Sequence, residues 1–72
     1  DRWIVSGLPA GDTLNVRTLP STQGQGVARL LQGARVQNLG CRQSGATLWC
    51  QIRTTGGVEL TGWVNGRYLR EG

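Results

Sequence analysis

Two apolar runs on either side of a glycine-rich turn constrain the fold of this chain more than any other feature. Residues 49–53 (WCQIR) and 60–64 (LTGWV) are rich in β-branched and aromatic side chains, and the TTGG of residues 54–57 is a turn signal. We therefore predict a β-hairpin whose first arm is the central strand of the domain. Cys50 lies in this arm, and Cys41 ends an earlier apolar run.

The two cysteines predict a disulfide. A Cys41–Cys50 bond would join the preceding strand to the other edge of the central strand, so that three consecutive antiparallel strands follow. Two free thiols are the alternative, because the spacing matches no metal-ligand pattern and the chain has no histidine to complete a site. A small domain buries only about 60% of its unfolded surface, and closing a loop of about ten residues would contribute roughly 2.5–3 kcal/mol. The disulfide would imply an oxidising compartment.

Short alternating or β-branched runs predict further strands around this hairpin. In chain order they are residues 2–6, 13–17, 27–31, 34–41 and 68–69, with turns at 32–33 and 42–46 and one turn of 3₁₀ helix over residues 65–67. Residues 19–26 form a long polar loop, and loops of this kind often carry binding surfaces. About five or six short strands in one domain, residues 1–72, favour a small barrel, because closure removes exposed sheet edges.

The apolar pattern also predicts which residues form the core. Leu14 and Val16 alternate with polar residues and should point inward. Val36 and Leu39 are three residues apart, which breaks strict alternation and predicts a bulge near Asn38. The predicted core residues are Ile4, Leu14, Val16, Val27, Leu30, Val36, Leu48, Ile52, Val64 and Leu69.

The charge of the chain suggests an anionic partner. All eight basic residues are arginine, and with four acidic residues the formal net charge is +4. Arginine pairs with carboxylate and phosphate and stacks on aromatic rings, although the base composition of the gene would explain its use equally well. No apolar run approaches the ~20 residues of a membrane span. The chain opens with Asp1 and without a signal sequence, so we expect a mature or excised domain.

The segment LNVR at residues 14–17, followed by Pro20 and Ser21, resembles the opening of the bacterial SH3-like (SH3b) domain family. The later marks of that family follow in order, over about residues 13–70. They are an apolar stretch ending in glycine at 27–33, a strand beginning at Trp49, the GWV of 62–64, a 3₁₀ turn and the YL of 68–69. The resemblance implies an all-β, five-stranded, partly open SH3-like barrel with a short 3₁₀ turn near the C-terminus.

The resemblance also implies a binding module. Such domains commonly accompany cell-wall hydrolases or periplasmic proteins, and some bind peptidoglycan or its peptide cross-bridges. The closing segment, residues 62–69, is similar to the last strand and 3₁₀ turn of eukaryotic SH3 domains, where a proline helps line the groove for proline-rich peptides. Here that position is Asn65, which argues against a proline-rich ligand.

The residues give little support for catalysis. The chain has no histidine, and its four carboxylates are scattered over loops and termini. A cysteine nucleophile would need an unpaired thiol and an activating base. We therefore predict no enzymatic activity, no cofactor and no metal site.

Aromatic and polar residues predict a ligand-binding surface instead. Trp49 and Trp63 are both odd-numbered residues of the two paired arms of the hairpin, so their side chains could project from the same face of the sheet. Flat aromatic rings there would offer a large contact area. Arg17 and Arg67 could pair with a peptide carboxylate or a polymer phosphate. Alternatively, Trp63 belongs to the core, Arg17 caps a loop or pairs with Asp12, and Trp3 closes the barrel end. The predicted ligand-binding residues are Asn15, Arg17, Trp49, Trp63, Arg67 and Tyr68.

Three hypotheses for function follow. The leading one is a non-catalytic binding module of an exported bacterial protein, periplasmic or secreted, that recognises cell-wall peptide or glycan or a periplasmic protein partner. The second is purely a protein–protein interaction domain within a larger exported protein. The third and least favoured is a small basic barrel that binds single-stranded nucleic acid. The arginines are spread along the sequence, and a disulfide argues against the cytoplasm.

Overall fold

Seven strands and one 3₁₀ turn make up the regular structure of residues 2–72, the part of the chain that the computed structural model describes. The strands are β1 (Arg2–Val5), β2 (Leu14–Arg17), β3 (Gly26–Leu30), β4 (Arg35–Ser44), β5 (Thr47–Thr54), β6 (Thr61–Asn65) and β7 (Leu69–Glu71), and the 3₁₀ turn is Gly66–Tyr68. They form one antiparallel sheet in the order β3-β2-β6-β5-β4-β1-β7. β5 is the middle strand, as the hairpin prediction requires.

The predicted all-β SH3-like barrel is confirmed, with two differences. Seven strands are present where the resemblance implied five, because short strands at each end of the chain, β1 and β7, pair with each other and extend the sheet beyond β4. The strands β3 and β7 end the sheet and do not pair with each other. The sheet is therefore curled but open, and the expectation that closure removes its edges is wrong.

One face of the sheet supplies the hydrophobic core. Strands from opposite ends of the sheet contribute to a single cluster, which requires the sheet to curl around its own inner face. The buried members are Val5, Leu14, Val16, Val36, Cys50, Ile52, Val64 and Leu69. Trp3 is half-buried and packs against this cluster, where it was predicted to close the barrel end.

Two predicted core residues are exposed, which corrects the sequence-based list. Val27 is 43% exposed because the pairing of β2 with β3 shifts register between Val16 and Arg17 and leaves Val27 without a partner. Leu48 is 44% exposed because it lies near the tip of the β4–β5 hairpin. Ile4 is only half-buried, because it lies on the face of β1 opposite to Val5. Val5 and Cys50 are buried and were missed.

A bulge interrupts β4 where the broken alternation predicted one. The pairing of β4 with β5 shifts register between Asn38 and Gly40, which leaves Leu39 without a partner and 40% exposed. The bulge is thus confirmed, but the prediction of Leu39 as an apolar anchor is wrong. β4 then continues to Ser44, so the predicted turn is shorter than residues 42–46. Gly45, with φ of 59°, occupies the tight two-residue connection to β5.

The predicted disulfide joins β4 to the central strand. Cys41 and Cys50 are directly opposite each other in the two strands and are bonded. Cys50 is buried in the core, whereas Cys41 is exposed. An ideal Cβ at Gly66 would lie 3.0 Å from Sγ of Cys50. The 3₁₀ turn therefore begins directly against the disulfide.

The strands β2 and β6 approach each other closely at Gly62. An ideal Cβ there would lie 2.5 Å from Cγ1 of Val16 and 2.9 Å from the carbonyl oxygen of Arg17. Only a residue without a side chain leaves room for this approach. The contact brings the polar end of β2 next to β6 and the 3₁₀ turn that follows it.

Candidate binding cleft

A cleft of about 180 Å³, with both polar and apolar walls, opens at this junction, on the outer face of the sheet. It combines residues from β2, the following loop, the start of β5, the end of β6 and the 3₁₀ turn. The lining residues are Thr13, Leu14, Asn15, Arg17, Thr22, Trp49, Asn65 and Tyr68. Four of the six residues predicted to bind a ligand are among them: Asn15, Arg17, Trp49 and Tyr68.

Strand register explains why these side chains meet. Arg17 is paired with Trp63, and Asn65 is paired with Trp49. Alternate residues of a strand point to opposite faces, and paired residues share a face. Because Val64 points into the core, its neighbours Trp63 and Asn65 project outward together with Arg17 and Trp49. The predicted common face for the two tryptophans follows from this register.

Trp49 is buried without belonging to the core. Its exposed fraction is only 6%, yet it lies on the outer face of β5 and outside the core cluster. The sequence-based expectation that this ring would be accessible is wrong. Trp49 therefore lines the cleft as a largely buried ring rather than as a protruding contact.

Arg17 holds the loop that borders the cleft. Its Nη1 donates hydrogen bonds to the carbonyl oxygens of Thr22 and Gly24, at 3.2 and 3.1 Å. Gly24 is buried, and an ideal Cβ there would lie 2.8 Å from the backbone nitrogen of Leu19. The loop is thus folded against its own base. The alternative prediction that Arg17 caps a loop describes these contacts, and the guanidinium also lines the cleft.

The 3₁₀ turn is fixed by the side chain of Asn65. Its Oδ1 accepts a hydrogen bond from the backbone N–H of Arg67 at 3.1 Å and so caps the turn. The guanidinium of Arg67 lies over the ring of Tyr68, 5.4 Å from its centroid. Tyr68 is half-buried and faces the cleft. It belongs to the 3₁₀ turn rather than to the last strand, where the sequence placed it.

Two of the predicted site residues lie outside the cleft. Arg67 borders a larger, separate depression of about 420 Å³ that Asn65 also lines. Trp63 is half-buried on the outer face but lines neither hollow. It is also absent from the core cluster, so its predicted role as core residue or ligand contact stays open.

Sequence reasoning missed four lining residues. Asn65 carried a usable signal, because it replaces the proline that lines the peptide groove in eukaryotic SH3 domains. Thr13 and Leu14 adjoin the predicted residue Asn15 on β2. Thr22 had no signal beyond its position in the polar loop, since its approach depends on how that loop folds back.

The lining of the cleft suits binding rather than acid–base chemistry. It offers amide, hydroxyl, phenol and guanidinium groups around an indole, and none of its residues is a carboxylate or an imidazole. Among residues 2–72, no group of three or more His, Cys, Asp or Glu side chains is placed to hold a metal ion. Within the same residues, no helix has the length and apolar character needed to span a membrane.

The bacterial SH3 domain family model matches residues 12–70 of the chain. The chain belongs to this family. Comparisons with curated proteins and with solved structures produced no significant match. The resemblance noted from the motifs is thereby confirmed, and bacterial SH3 domains generally act as binding modules. In this bacterial SH3 domain, the match begins before β2 and extends through the 3₁₀ turn into β7, so it includes every residue that lines the cleft.

Proposed function

We propose that this bacterial SH3 domain is a non-catalytic binding module of an exported protein, and that its cleft binds a peptide of the bacterial cell wall or the adjoining glycan. The position of Trp49 carries the proposal. A buried ring outside the core, surrounded by amide and hydroxyl groups, matches the usual composition of a ligand site, in which an apolar base is combined with a few polar groups.

The size and chemistry of the cleft favour a short peptide segment. A volume of about 180 Å³, below the roughly 300–1,000 Å³ of typical ligand pockets, suits about one residue of a peptide rather than the surface of a folded protein. The amides of Asn15 and Asn65 can each donate and accept hydrogen bonds, as recognition of a peptide backbone requires. Arg17 in the wall and Arg67 beside it would attract the carboxylates of a wall peptide. We assign the ligand-binding role to this group of residues.

The disulfide supports an extracytoplasmic location. Cys41 is exposed to solvent, and such bonds persist mainly in oxidising compartments. We therefore place the domain in the periplasm or outside the cell, where the proposed wall ligand is also found.

A protein partner is the second candidate, and an exposed leucine favours it. Leu19 lies in the loop that borders the cleft and is 54% exposed. A wall peptide or glycan has little need of this apolar contact, whereas a protein segment that extends beyond the cleft would cover it. On this alternative, the chain is purely a protein–protein interaction domain within a larger exported protein.

Retention on purified peptidoglycan at low salt tests the proposal. Soluble wall-peptide fragments, titrated into ¹⁵N-labelled domain, should shift the amide signals of Asn15, Thr22 and Asn65. The variants Asn15→Ala and Tyr68→Ala should each weaken binding by about three- to tenfold, the effect of losing one hydrogen bond or contact. The control Gln37→Ala, on an exposed position of β4 away from the cleft, should bind normally.

The two candidates give opposite results in this assay. A folded domain that peptidoglycan does not retain, and that instead co-purifies with one defined periplasmic protein, would replace the wall ligand with a protein partner. Shifts that are spread over the surface rather than around the cleft would contradict the site itself.

A further inference from the structure

Four of the eight arginines project from one area of the sheet, although they are widely separated in the sequence. They belong to four neighbouring strands in the order β7-β1-β4-β5 and are exposed. We call this area the arginine face, and its arginines are Arg2, Arg35, Arg53 and Arg70.

Strand register arranges these arginines in two rows. In the first row, Ile4 is paired on one side with Arg70 and on the other with Arg35. In the second row, Gln37 is paired on one side with Arg2 and on the other with Arg53. Neighbouring strands are about 4.8 Å apart, so the two arginines of a row have Cα atoms roughly 10 Å apart. The rows are two residues apart along the strands, which is about 7 Å.

Burial of the intervening residues shows that both rows face outward. Val5, Val36, Ile52 and Leu69 alternate with the arginines on these strands and are buried in the core. The register shift in β4 occurs only after Asn38, so it doesn't disturb the rows. Arg2 and Arg35 also jointly line two shallow depressions, of about 210 and 170 Å³.

The arginine face is not neutralised by the described part of the chain. Arg17 uses its guanidinium to bind two loop carbonyls, but within residues 2–72 none of the four arginines of the face makes a side-chain hydrogen bond or an ion pair. Glu71 is paired with Trp3 and is the neighbour of Arg70 along β7, so its side chain points to the opposite face of the sheet from the two rows. As far as residues 2–72 are concerned, the face therefore offers four guanidinium groups to an external anion.

We propose that the arginine face binds a flexible linear polymer that carries phosphate groups, at a surface separate from the cleft. Guanidinium forks form bidentate hydrogen bonds with phosphate oxygens. The face is the outer, convex side of a curled sheet, which a flexible chain can follow and a flat bilayer touches only in part. In the adjoining loop, the apolar residues Val58 and Leu60 flank Glu59, whose charge opposes insertion into lipid.

The residue types between the arginines favour a phosphate polymer without bases over a nucleic acid. Sequence-tolerant binding of single strands combines phosphate contacts with aromatic side chains on which the bases stack. The residues between the arginines are Ile4 and Gln37, and neither is aromatic. The polymer's phosphates, and no other group, are the recognised feature.

Salt-dependent binding of a short inorganic polyphosphate chain tests the proposal. Four phosphate contacts predict that log K falls with log salt with a slope of about −3, at about −0.7 per contact for a flexible strand. The row variants Arg2→Gln/Arg53→Gln and Arg35→Gln/Arg70→Gln should each halve this slope. The control Arg29→Gln/Arg42→Gln has the same net charge as the row variants and should keep the full slope. Thermal melts of each variant show that it is folded.

The possible results distinguish binding at the arginine face from a general effect of the positive net charge. A shallower dependence of log K on log salt in both row variants, but not in the control, supports binding at the arginine face. An equal loss in the control, or no binding to polyphosphate at low salt, overturns it. Tighter binding to a single-stranded oligonucleotide or to anionic vesicles would assign the face to another partner, and equal affinity for polyglutamate would refute recognition of phosphate. Because none of these variants alters a cleft residue, a failure here leaves the cleft proposal unaffected.

Discussion

Replacing Gly62 by alanine tests how closely β2 and β6 approach. The added methyl carbon would lie 2.5 Å from Cγ1 of Val16 and 2.9 Å from the carbonyl oxygen of Arg17. Non-bonded carbon atoms prefer separations of about 3.5–4 Å, so a shift of about 1 Å is required. Val16 is fully buried and the carbonyl belongs to the backbone. Neither can move freely, and overpacking of this kind destabilises by about 1–3 kcal/mol.

The expected loss is a large part of the total stability. A domain of this length has a free energy of unfolding of about 4–11 kcal/mol, at 0.05–0.15 kcal/mol per residue. A loss of about 2 kcal/mol should lower Tm by about 8–16 °C. Urea unfolding and thermal melts followed by circular dichroism measure both quantities in the wild type and the variant.

Two further variants show whether the clash is the cause. Gly26→Ala adds a Cβ with nothing within 4 Å, so we expect a change within about 0.5 kcal/mol. In the double variant Val16→Ala/Gly62→Ala the methyl group gains space, and the combined loss should be smaller than the sum of the single losses by at least about 0.5 kcal/mol. A Gly62→Ala protein as stable as the wild type would refute the close approach of these strands.

Three other features of the fold give measurable expectations. Reduction of the Cys41–Cys50 bond should lower the free energy of unfolding by roughly 2.5–3 kcal/mol, and equal melting temperatures with and without a reductant would contradict this. Arg17→Ala removes two hydrogen bonds to the loop of residues 18–25, so its amides should lose protection from hydrogen exchange while the core strands keep theirs; global loss would show a different role. Asn65→Ala removes the cap of the 3₁₀ turn and should destabilise by about 1 kcal/mol, which urea unfolding would detect. Asn65→Asp retains the acceptor and should restore most of this stability.

The order of the three central strands was predictable from the sequence because it depends on local signals. The glycine-rich turn and the cysteine pair specified β4, β5 and β6, and the structure confirms these strands and the disulfide. Burial was less predictable, since it depends on which strands cover a residue. Val27 and Leu39 are apolar residues of predicted strands, but each is the unpaired residue at a register shift, and both are exposed.

The candidate site was partly predictable for the same reason. Trp49 and Trp63 were assigned to one face on the assumption that odd-numbered residues of the two paired strands point the same way, and the observed register, in which Trp49 is paired with Asn65, has this property. The burial of Trp49 could not be predicted, because the residues that line the cleft with it come from separate parts of the chain, namely β2, the loop after it, β6 and the 3₁₀ turn. Likewise, arginines that are scattered in the sequence meet on one face only through the register of β7, β1, β4 and β5.

The separation of Trp49 from the core has a consequence for how such a chain can diverge. The inward residues of the sheet must fit one another, so a change in one of them requires compensation by several neighbours. Of the residues that line the cleft with the indole, Leu14 and Tyr68 contact that core, whereas Asn15 and Thr22 do not belong to it. Substitutions at Asn15 or Thr22 can alter ligand preference while the core stays intact, so these positions are free to evolve faster than the inward side of the sheet.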